Sequence, residues 1–437
     1  MQKKLGKRQV ENRQVAMWLL LLFVLILAAW SPCYASSDDA DNASLVDTLY
    51  KKGVLTEEEY DQLKKQDSKF DKMLKALGGL NIGTLSYFQY AGGESKKEGF
   101  HQFRLTRGYI NIKVKLAKWL RFRVTPDAHQ DDTGDFKLRL KYLYAEFLPP
   151  DLAFLTDMRS EVGIGHMPWL DFEEHINPYR CQGTMFIERA GLFNSADLGV
   201  SIRGYFGGQL GAEYQHNVSK YYAGRWGSWH VGVYNGAGYH AIEIDDNVVP
   251  EVRVTFRPLP DLIPGLQVHY FGLYGKGNTE YALPVTGDPD YPLFQVHLGM
   301  LSYQNAWITF TGQYALTNGN AKGTFVLDNS VVALRGEGFS FFFNTKLPVL
   351  KKKLNLFGRY DRFDPDKDNR ATSGLGADAY NLIIGGAAWE FFHHWYLLAA
   401  YQQTLYEKNS GGVAKVPSPG LDLPDAWQAQ LVLQMAF

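Results

Sequence analysis

The sequence predicts an all-β fold, a transmembrane antiparallel β-barrel of about 16 strands with a short N-terminal helical segment. Three observations predict it: short stretches in which apolar and polar residues alternate, turns of very different lengths between them, and an amphipathic final stretch that ends in an aromatic residue. Successive side chains of a strand point to opposite faces. In a membrane barrel one of these faces meets lipid and the other meets the lumen.

The stretch YINIKVKL at residues 109–116 shows the alternation most clearly. By itself it fits a soluble sandwich as well as a barrel wall, so other features have to decide. Similar apolar faces recur at 120–124, 198–206, 252–256 and 266–270. In a barrel, lipid would meet Ile110, Ile112, Val114 and Leu116, whereas the lumen would meet Asn111, Lys113 and Lys115.

The last stretch of the chain, AWQAQLVLQMAF, favours the barrel over the sandwich. Residues counted back by twos from Phe437 to Trp427 are all apolar, and three glutamines lie among the residues between them. An amphipathic last strand closed by a terminal aromatic resembles the assembly signal of outer-membrane barrels. The 26 Tyr, 27 Phe and 10 Trp could supply the aromatic girdles of such a barrel.

The N-terminus reads as a secretory signal peptide cleaved after Ala35. It has a basic start, an apolar run at 15–30, and small residues before the predicted cleavage site. An uncleaved anchor is the alternative, while Pro32 directly before Cys33 disfavours lipid attachment. Cleavage would leave Cys181 without a disulfide partner in the chain. No apolar stretch after Trp30 is long enough for a transmembrane helix.

Three regions follow from these patterns: a signal peptide at 1–35, a periplasmic polar linker and helical hairpin at 36–78, and an outer-membrane β-barrel domain at 79–437. Thr56 and Glu59 form a capping-box pattern, which predicts that the second helix of the hairpin starts at Thr56. At roughly 20–24 residues per strand and connection, the third region gives about 16 strands, with 14 or 18 as alternatives.

Basic residues recur on the predicted inner face of the first strands. The whole chain has a formal net charge of -1, and without the five bases and one acid of the leader the balance is 40 bases against 45 acids. A nucleic-acid partner is therefore not expected. The predicted pore-lining anion ladder consists of Arg107, Lys113, Lys115, Arg121, Arg123, Lys137, Arg139 and Lys141.

Such a ladder would attract anions into the lumen and lower the barrier to their passage. Individual bases could instead contact lipopolysaccharide or pair with lumenal acids such as Glu146 and Glu188. Motifs of catalysis are missing: there is no GxSxG, HExxH or P-loop. The acidic DPDKDN at 364–369 lacks the glycine and glutamate of a calcium loop, and His393 and His394 are expected in a turn. Neither an enzyme nor a cofactor is predicted.

Several blocks in order resemble the phosphate-selective porin O and P family. They are RLTRGYINIKVKLAKWLRFRVTPD, GIGHMPW at 163–169, MFIERAG at 185–191, DLGVSIRG at 197–204 and VGVYNGAG at 231–238. The resemblance implies a 16-stranded barrel of the Gram-negative outer membrane, usually a homotrimer. It also implies inward-folded loops that constrict a lumen lined with Arg and Lys. His166 stands where family members often carry Lys, and with Arg180 it is a candidate for the constriction.

The function implied is passive diffusion of small solutes, favouring phosphate or similar anions. The expected partners are small anionic solutes, outer-membrane lipid and lipopolysaccharide, and the barrel-assembly machinery, which would recognise the strand that ends at Phe437. Three alternatives remain at this point: a weakly selective general porin, a barrel sleeve around an electron-transfer partner such as a multihaem cytochrome, and a barrel hydrolase.

Overall fold

The computed structural model describes residues 79–437 except 132, 284–286, 329, 372–377 and 408–423, together with residues 50, 52, 56–61 and 64. The predicted signal peptide and most of the predicted helical hairpin lie outside the described residues. Within that part of the chain, 16 antiparallel strands close into one barrel, in which β1 pairs with both β2 and β18. The predicted fold class and the strand number are confirmed.

The barrel strands are joined in sequence order, each to its neighbour in the chain. The two shortest strands, β10 and β11, form a separate two-stranded ribbon. The strands are β1 (Asn81–Ser95), β2 (Glu98–Lys115), β3 (Leu120–Gln130), β4 (Phe136–Phe147), β5 (Leu155–His166), β6 (Ala196–Phe206), β7 (Gly227–Tyr234), β8 (Val249–Phe256), β9 (Leu266–Lys276), β10 (Tyr281–Ala282), β11 (Pro289–Asp290), β12 (Leu293–Gln304), β13 (Ile308–Asn318), β14 (Arg335–Lys346), β15 (Leu354–Asp364), β16 (Tyr380–Phe392), β17 (Trp395–Tyr406) and β18 (Ala426–Ala436).

The two ends of the barrel differ in their connections. Strand β1 begins and β18 ends at the same end, here called the terminal end, and the opposite end is called the distal end. Most turns at the terminal end are short, such as 305–307 and 393–394, whereas the distal connections include 167–195 and 319–334. The 20-residue connection 207–226 between β6 and β7 is an exception, because it is a long one at the terminal end.

The outer face of the barrel is apolar. Ile110, Leu138, Val200 and Phe341 are among its large exposed side chains. Such a face is stable in contact with lipid rather than water, as in other transmembrane barrels. The structure describes no helix that is both long enough and apolar enough to cross a membrane.

A long connection folds into the barrel from the distal end. This inward segment, residues 167–195 between β5 and β6, carries helices α1 (Leu170–Glu174) and α2 (Phe186–Arg189). Its apolar residues, including Trp169 and Phe186, are fully buried in one cluster with inward-facing residues of β9 and β12–β18. A Cβ added at Gly338 of β14 would lie 2.9 Å from Phe186 Cζ, so the glycine leaves room for this packing. The segment therefore covers the apolar half of the inner wall.

Gly163 of β5 is required by the backbone itself. Its φ is +127°, and an added Cβ would lie 2.2 Å from the carbonyl oxygen of Leu143 on β4. We expect Gly163→Ala to destabilise the barrel by about 2 kcal/mol or more, because an L side chain strains this conformation and collides with the neighbouring strand. The midpoint of urea unfolding in detergent measures the loss. Gly299→Ala is the matched control, since a Cβ there meets nothing within 4 Å. Equal midpoints for both variants would contradict the prediction.

Two further helical features lie outside the inward segment. In the N-terminal region, the Thr56 backbone N–H donates to Glu59 Oε2 at 2.9 Å, and the Glu59 N–H donates to Thr56 Oγ1 at 3.3 Å. Residues 57–61 are helical, so the predicted capping box and helix start are confirmed. Helix α3 (Ala212–Asn217) lies in the long connection 207–226 at the terminal end.

Candidate functional site

The predicted basic ladder runs along the barrel axis on the inner face of β2–β4. Cross-strand register places Lys115 opposite Arg121 and Lys113 opposite Arg123, both towards the terminal end. Lys137 lies near the start of β4, towards the distal end. The alternation in YINIKVKL predicted that Lys113 and Lys115 face inward. In agreement with it, Ile110 and Leu116 face outward and are exposed on the outer surface.

Half of the ladder is neutralised by carboxylates. Paired charges of opposite sign largely cancel at a distance, so these bases contribute little to the field in the lumen. The inward segment supplies one of the acids, and the wall or the β3–β4 connection supplies the others. The pairs are Arg107–Glu174 (3.7 Å), Arg121–Glu146 (3.3 Å), Lys137–Asp131 (2.5 Å) and Arg139–Asp127 (3.0 Å).

Lys113 and Lys115 are different, because both are exposed on the inner face. Among the residues that the structure describes, neither forms an ion pair. Arg123 has no carboxylate partner among these residues either: its Nη2 donates to Asn111 Oδ1 at 2.7 Å, and its Cζ lies 4.3 Å from the centre of the Tyr142 ring. The two exposed lysines face water and Arg123 lies beside them, so this part of the wall carries positive charge that no carboxylate pairs with in the described structure. Such charge attracts anions into a lumen.

Lys141, by contrast, does not line a water-filled space. The β3–β4 register shifts between Thr125 and Pro126, and beside this irregularity Lys141 is 3% exposed. Its Nζ contacts Ser195 Oγ and lies 4.0 Å from the centre of the Tyr239 ring. Its assignment to the pore lining was therefore wrong. The lysine anchors the end of the inward segment instead.

The two constriction candidates lie where the inward segment meets the wall. His166 ends β5, with Nδ1 2.9 Å from Glu161 Oε2 and Nε2 3.2 Å from Arg123 Nη1. Arg180 is on the segment, between Glu174 at 3.1 Å and Glu188 at 3.0 Å. The sequence had offered Glu188 as a partner of the ladder, but the structure pairs it with Arg180.

Sequence reasoning missed Arg203 of β6. Its Nη2 lies 2.8 Å from Glu161 Oε1 and 3.6 Å from Glu146 Oε1, so it holds together two acids that face each other across β4 and β5. In DLGVSIRG, Arg203 follows the outward Ile202, so the alternation of side chains could have identified Arg203 as an inward-facing base. This arginine and the two acids extend the polar wall beyond the ladder.

Asp171 was missed as well, together with the connection 207–226 that contacts it. Tyr222 of that connection donates its hydroxyl to Asp171 Oδ2 at 2.5 Å, and the rings of Tyr221 and His175 lie 4.0 Å apart. Burial acts to raise the pKa of Asp171, but His175, His166 and Arg203 outweigh it and hold that pKa well below its usual range. The two connections therefore meet inside the barrel, one entering from each end.

Glu173 of α1 has a raised pKa, in contrast to Asp171. Burial raises its pKa to about 7, although Trp169 Nε1 and Gln313 Nε2 both donate hydrogen bonds to its carboxyl group. A carboxyl group whose pKa is raised on folding stabilises the fold most when it is protonated. Stability should therefore fall as the pH rises from the unfolded pKa of about 4.5 through 7.

We expect wild-type protein to lose about 2–3 kcal/mol more stability than Glu173→Gln between pH 5 and pH 8, because only the wild type carries the carboxyl group whose pKa is raised to about 7. The glutamine stays neutral at every pH, and rotation of Gln313 would let its orphan Oε1 accept from it. Urea unfolding midpoints across this pH range measure the difference, with the exposed Glu213→Gln as control. A Glu173→Gln profile parallel to that of the wild type would contradict this prediction.

Comparison with known proteins shows the fold. Neither the family models nor the curated proteins give a match. Solved structures do match: an anion-selective porin of Comamonas acidovorans (TM-score 0.53, 10% identity, covering 82% of this chain and 99% of that one), OmpF of Salmonella typhi in complex with daunomycin (0.53, 11%, 83% and 99%) and OprB of Pseudomonas putida (0.53, 10%, 84% and 96%). The chain therefore has the fold of a porin barrel.

Proposed function

We propose that this protein is an outer-membrane porin through which small solutes diffuse passively, with a preference for anions. The observation that carries the proposal is the group formed by Lys113, Lys115 and Arg123. Two of these bases are exposed on the inner face, and all three lack a carboxylate partner within the described structure. Fixed positive charge in a narrow aqueous passage favours anions over cations.

Phosphate is the anion we propose first, on the strength of the sequence blocks that resemble the phosphate-selective porins. An arginine fork matches the oxygens of a phosphate group, and Arg123 is the ladder arginine without an acidic partner. The neutralised half of the ladder favours the second candidate, a weakly selective general porin. The inward segment lies within the lumen and packs on its wall, which disfavours a sleeve around another protein. The barrel is thus proposed as a channel and not as an enzyme.

The same proposal covers location and assembly. Residues 1–35 would direct export and be removed, residues 36–78 would remain in the periplasm, and the barrel would form homotrimers in contact with lipid and lipopolysaccharide. Phe437 is 77% exposed at the terminal end, so the barrel-assembly machinery could reach it. In this orientation the terminal end faces the periplasm and the distal end faces outward.

Planar bilayers test the proposal. Purified protein should give stepwise conductance in KCl, and millimolar inorganic phosphate should lower the chloride current if phosphate occupies the ladder. Absence of steps from a folded barrel would overturn the porin function. Steps that phosphate leaves unchanged would overturn the phosphate preference and support the general porin.

A further inference from the structure

The turn between β16 and β17 brings together, at the terminal end, three side chains of types that can bind metal ions. His393 and His394 form this turn, and Phe392 pairs with Trp395 on either side of it. One ligand atom each of Glu390, His393 and His394 lies within 4.8 Å of the others. We propose that these three side chains form a binding site for a divalent transition metal such as Zn²⁺, Ni²⁺ or Cu²⁺.

The backbone of the turn directs the three groups towards one another. His394 has a φ of +61°, and its N–H donates to Glu390 Oε1 at 3.1 Å, which turns the carboxylate towards the histidines. The two imidazole rings lie 4.2 Å apart. Gln434 Nε2 of β18 reaches the His394 carbonyl oxygen at 3.4 Å, so the turn is also tied to the neighbouring strand.

The donor set determines the class of metal. Two imidazoles and one carboxylate suit zinc, nickel and copper, whereas calcium and magnesium prefer oxygen donors alone. In a tetrahedral zinc site the ligand atoms are roughly 3.3 Å apart. Both histidines are exposed, so small side-chain rotations can bring the three ligand atoms from within 4.8 Å to the shorter separation of a zinc site. Water can occupy the remaining coordination positions of the metal.

The site lies at the terminal mouth of the lumen. Glu390 continues the inward-facing series of Leu382, Ile384 and Ala388, which contact the cluster around the inward segment. Lys220 of the connection 207–226 acts electrostatically on His394, so that connection reaches the same mouth. The positive charge of Lys220 opposes cation binding, and we therefore expect the site to bind the metal ion with moderate rather than tight affinity.

Isothermal titration calorimetry tests the site on untagged, detergent-purified protein, since a polyhistidine tag would bind the same metals. ZnCl₂ is titrated in the presence of excess Mg²⁺, and we expect saturable binding of one Zn²⁺ per chain. His393→Ala and His394→Ala should each weaken it by at least about tenfold, and the double variant should abolish it. Replacement of two other exposed histidines, His101→Ala with His216→Ala, is the matched control and should leave binding unchanged.

The calorimetry would overturn the proposal if wild-type protein showed no saturable Zn²⁺ binding, or if binding persisted in the His393→Ala/His394→Ala variant. Circular dichroism verifies that each variant keeps its β-structure, and the single variants preserve the test if the double variant fails to fold. With Cu²⁺ as the probe, electron paramagnetic resonance should show coupling to two imidazole nitrogens. A spectrum with no nitrogen coupling would also contradict the site. None of these readouts depends on channel activity.

Discussion

Replacement of Lys113, Lys115 and Arg123 by glutamate is expected to change an anion-favouring channel into a cation-favouring one. Each substitution puts a negative charge where a positive charge without a carboxylate partner faces the inside of the barrel. Cations would then be concentrated in the lumen and chloride excluded. The reversal potential of single channels in a KCl gradient should change sign, and this shift should shrink as the salt concentration rises, since salt screens the charges.

A neutral pair provides the matched control for this experiment. Arg139 and Asp127 form an ion pair at 3.0 Å on the same wall. The double variant Arg139→Gln/Asp127→Asn removes one positive and one negative charge, so the net charge of the wall stays the same. We expect this double variant to keep the wild-type reversal potential. An equal shift in the control and the triple variant, or no shift in either, would show that the three bases do not set the selectivity.

Replacing Trp169 and Phe186 by alanine should release the inward segment from the wall and raise single-channel conductance. Both side chains are fully buried, Trp169 against Phe271 of β9 and Phe186 near Phe363 of β15. Truncation of a buried Phe or Trp costs about 3–5 kcal/mol. The segment would lose this docking energy, while the hydrogen bonds between barrel strands would remain.

The control for the segment is a tryptophan outside the lumen. Trp119 lies in the β2–β3 turn and is 57% exposed, so Trp119→Ala removes an indole without disturbing the inward segment. Its conductance should equal that of the wild type. A Trp169→Ala/Phe186→Ala protein that folds and conducts like the wild type would contradict the view that the segment narrows the passage.

The alternation of side chains, together with the amphipathic last strand, predicted the barrel, and the alternation placed the ladder on one face of the wall. In YINIKVKL, the period of two assigns Lys113 and Lys115 to one face and Ile110 and Ile112 to the other, whatever the neighbouring strands are. The same rule was not sufficient for Lys141, because this side chain is covered by Ser195 of the inward segment and by Tyr239, which lie far from it in the chain.

Partners across the lumen could not be predicted in this way. The Arg107–Glu174 pair joins β2 to the inward segment, and the depth to which that segment enters depends on packing of residues far apart in the chain. The connection 207–226 was missed for another reason. It lies at the end where barrels usually have short turns, and its polar sequence carried no sign that Tyr221 and Tyr222 enter the lumen.

The most direct test is the reversal potential of wild-type protein in a planar bilayer under a KCl gradient at low salt. Lys113, Lys115 and Arg123 have no carboxylate partner among the described residues, so we expect open channels that favour chloride over potassium, with a reversal potential of the corresponding sign. A potential on the potassium side, or a folded barrel that conducts no current, would contradict an anion-favouring porin.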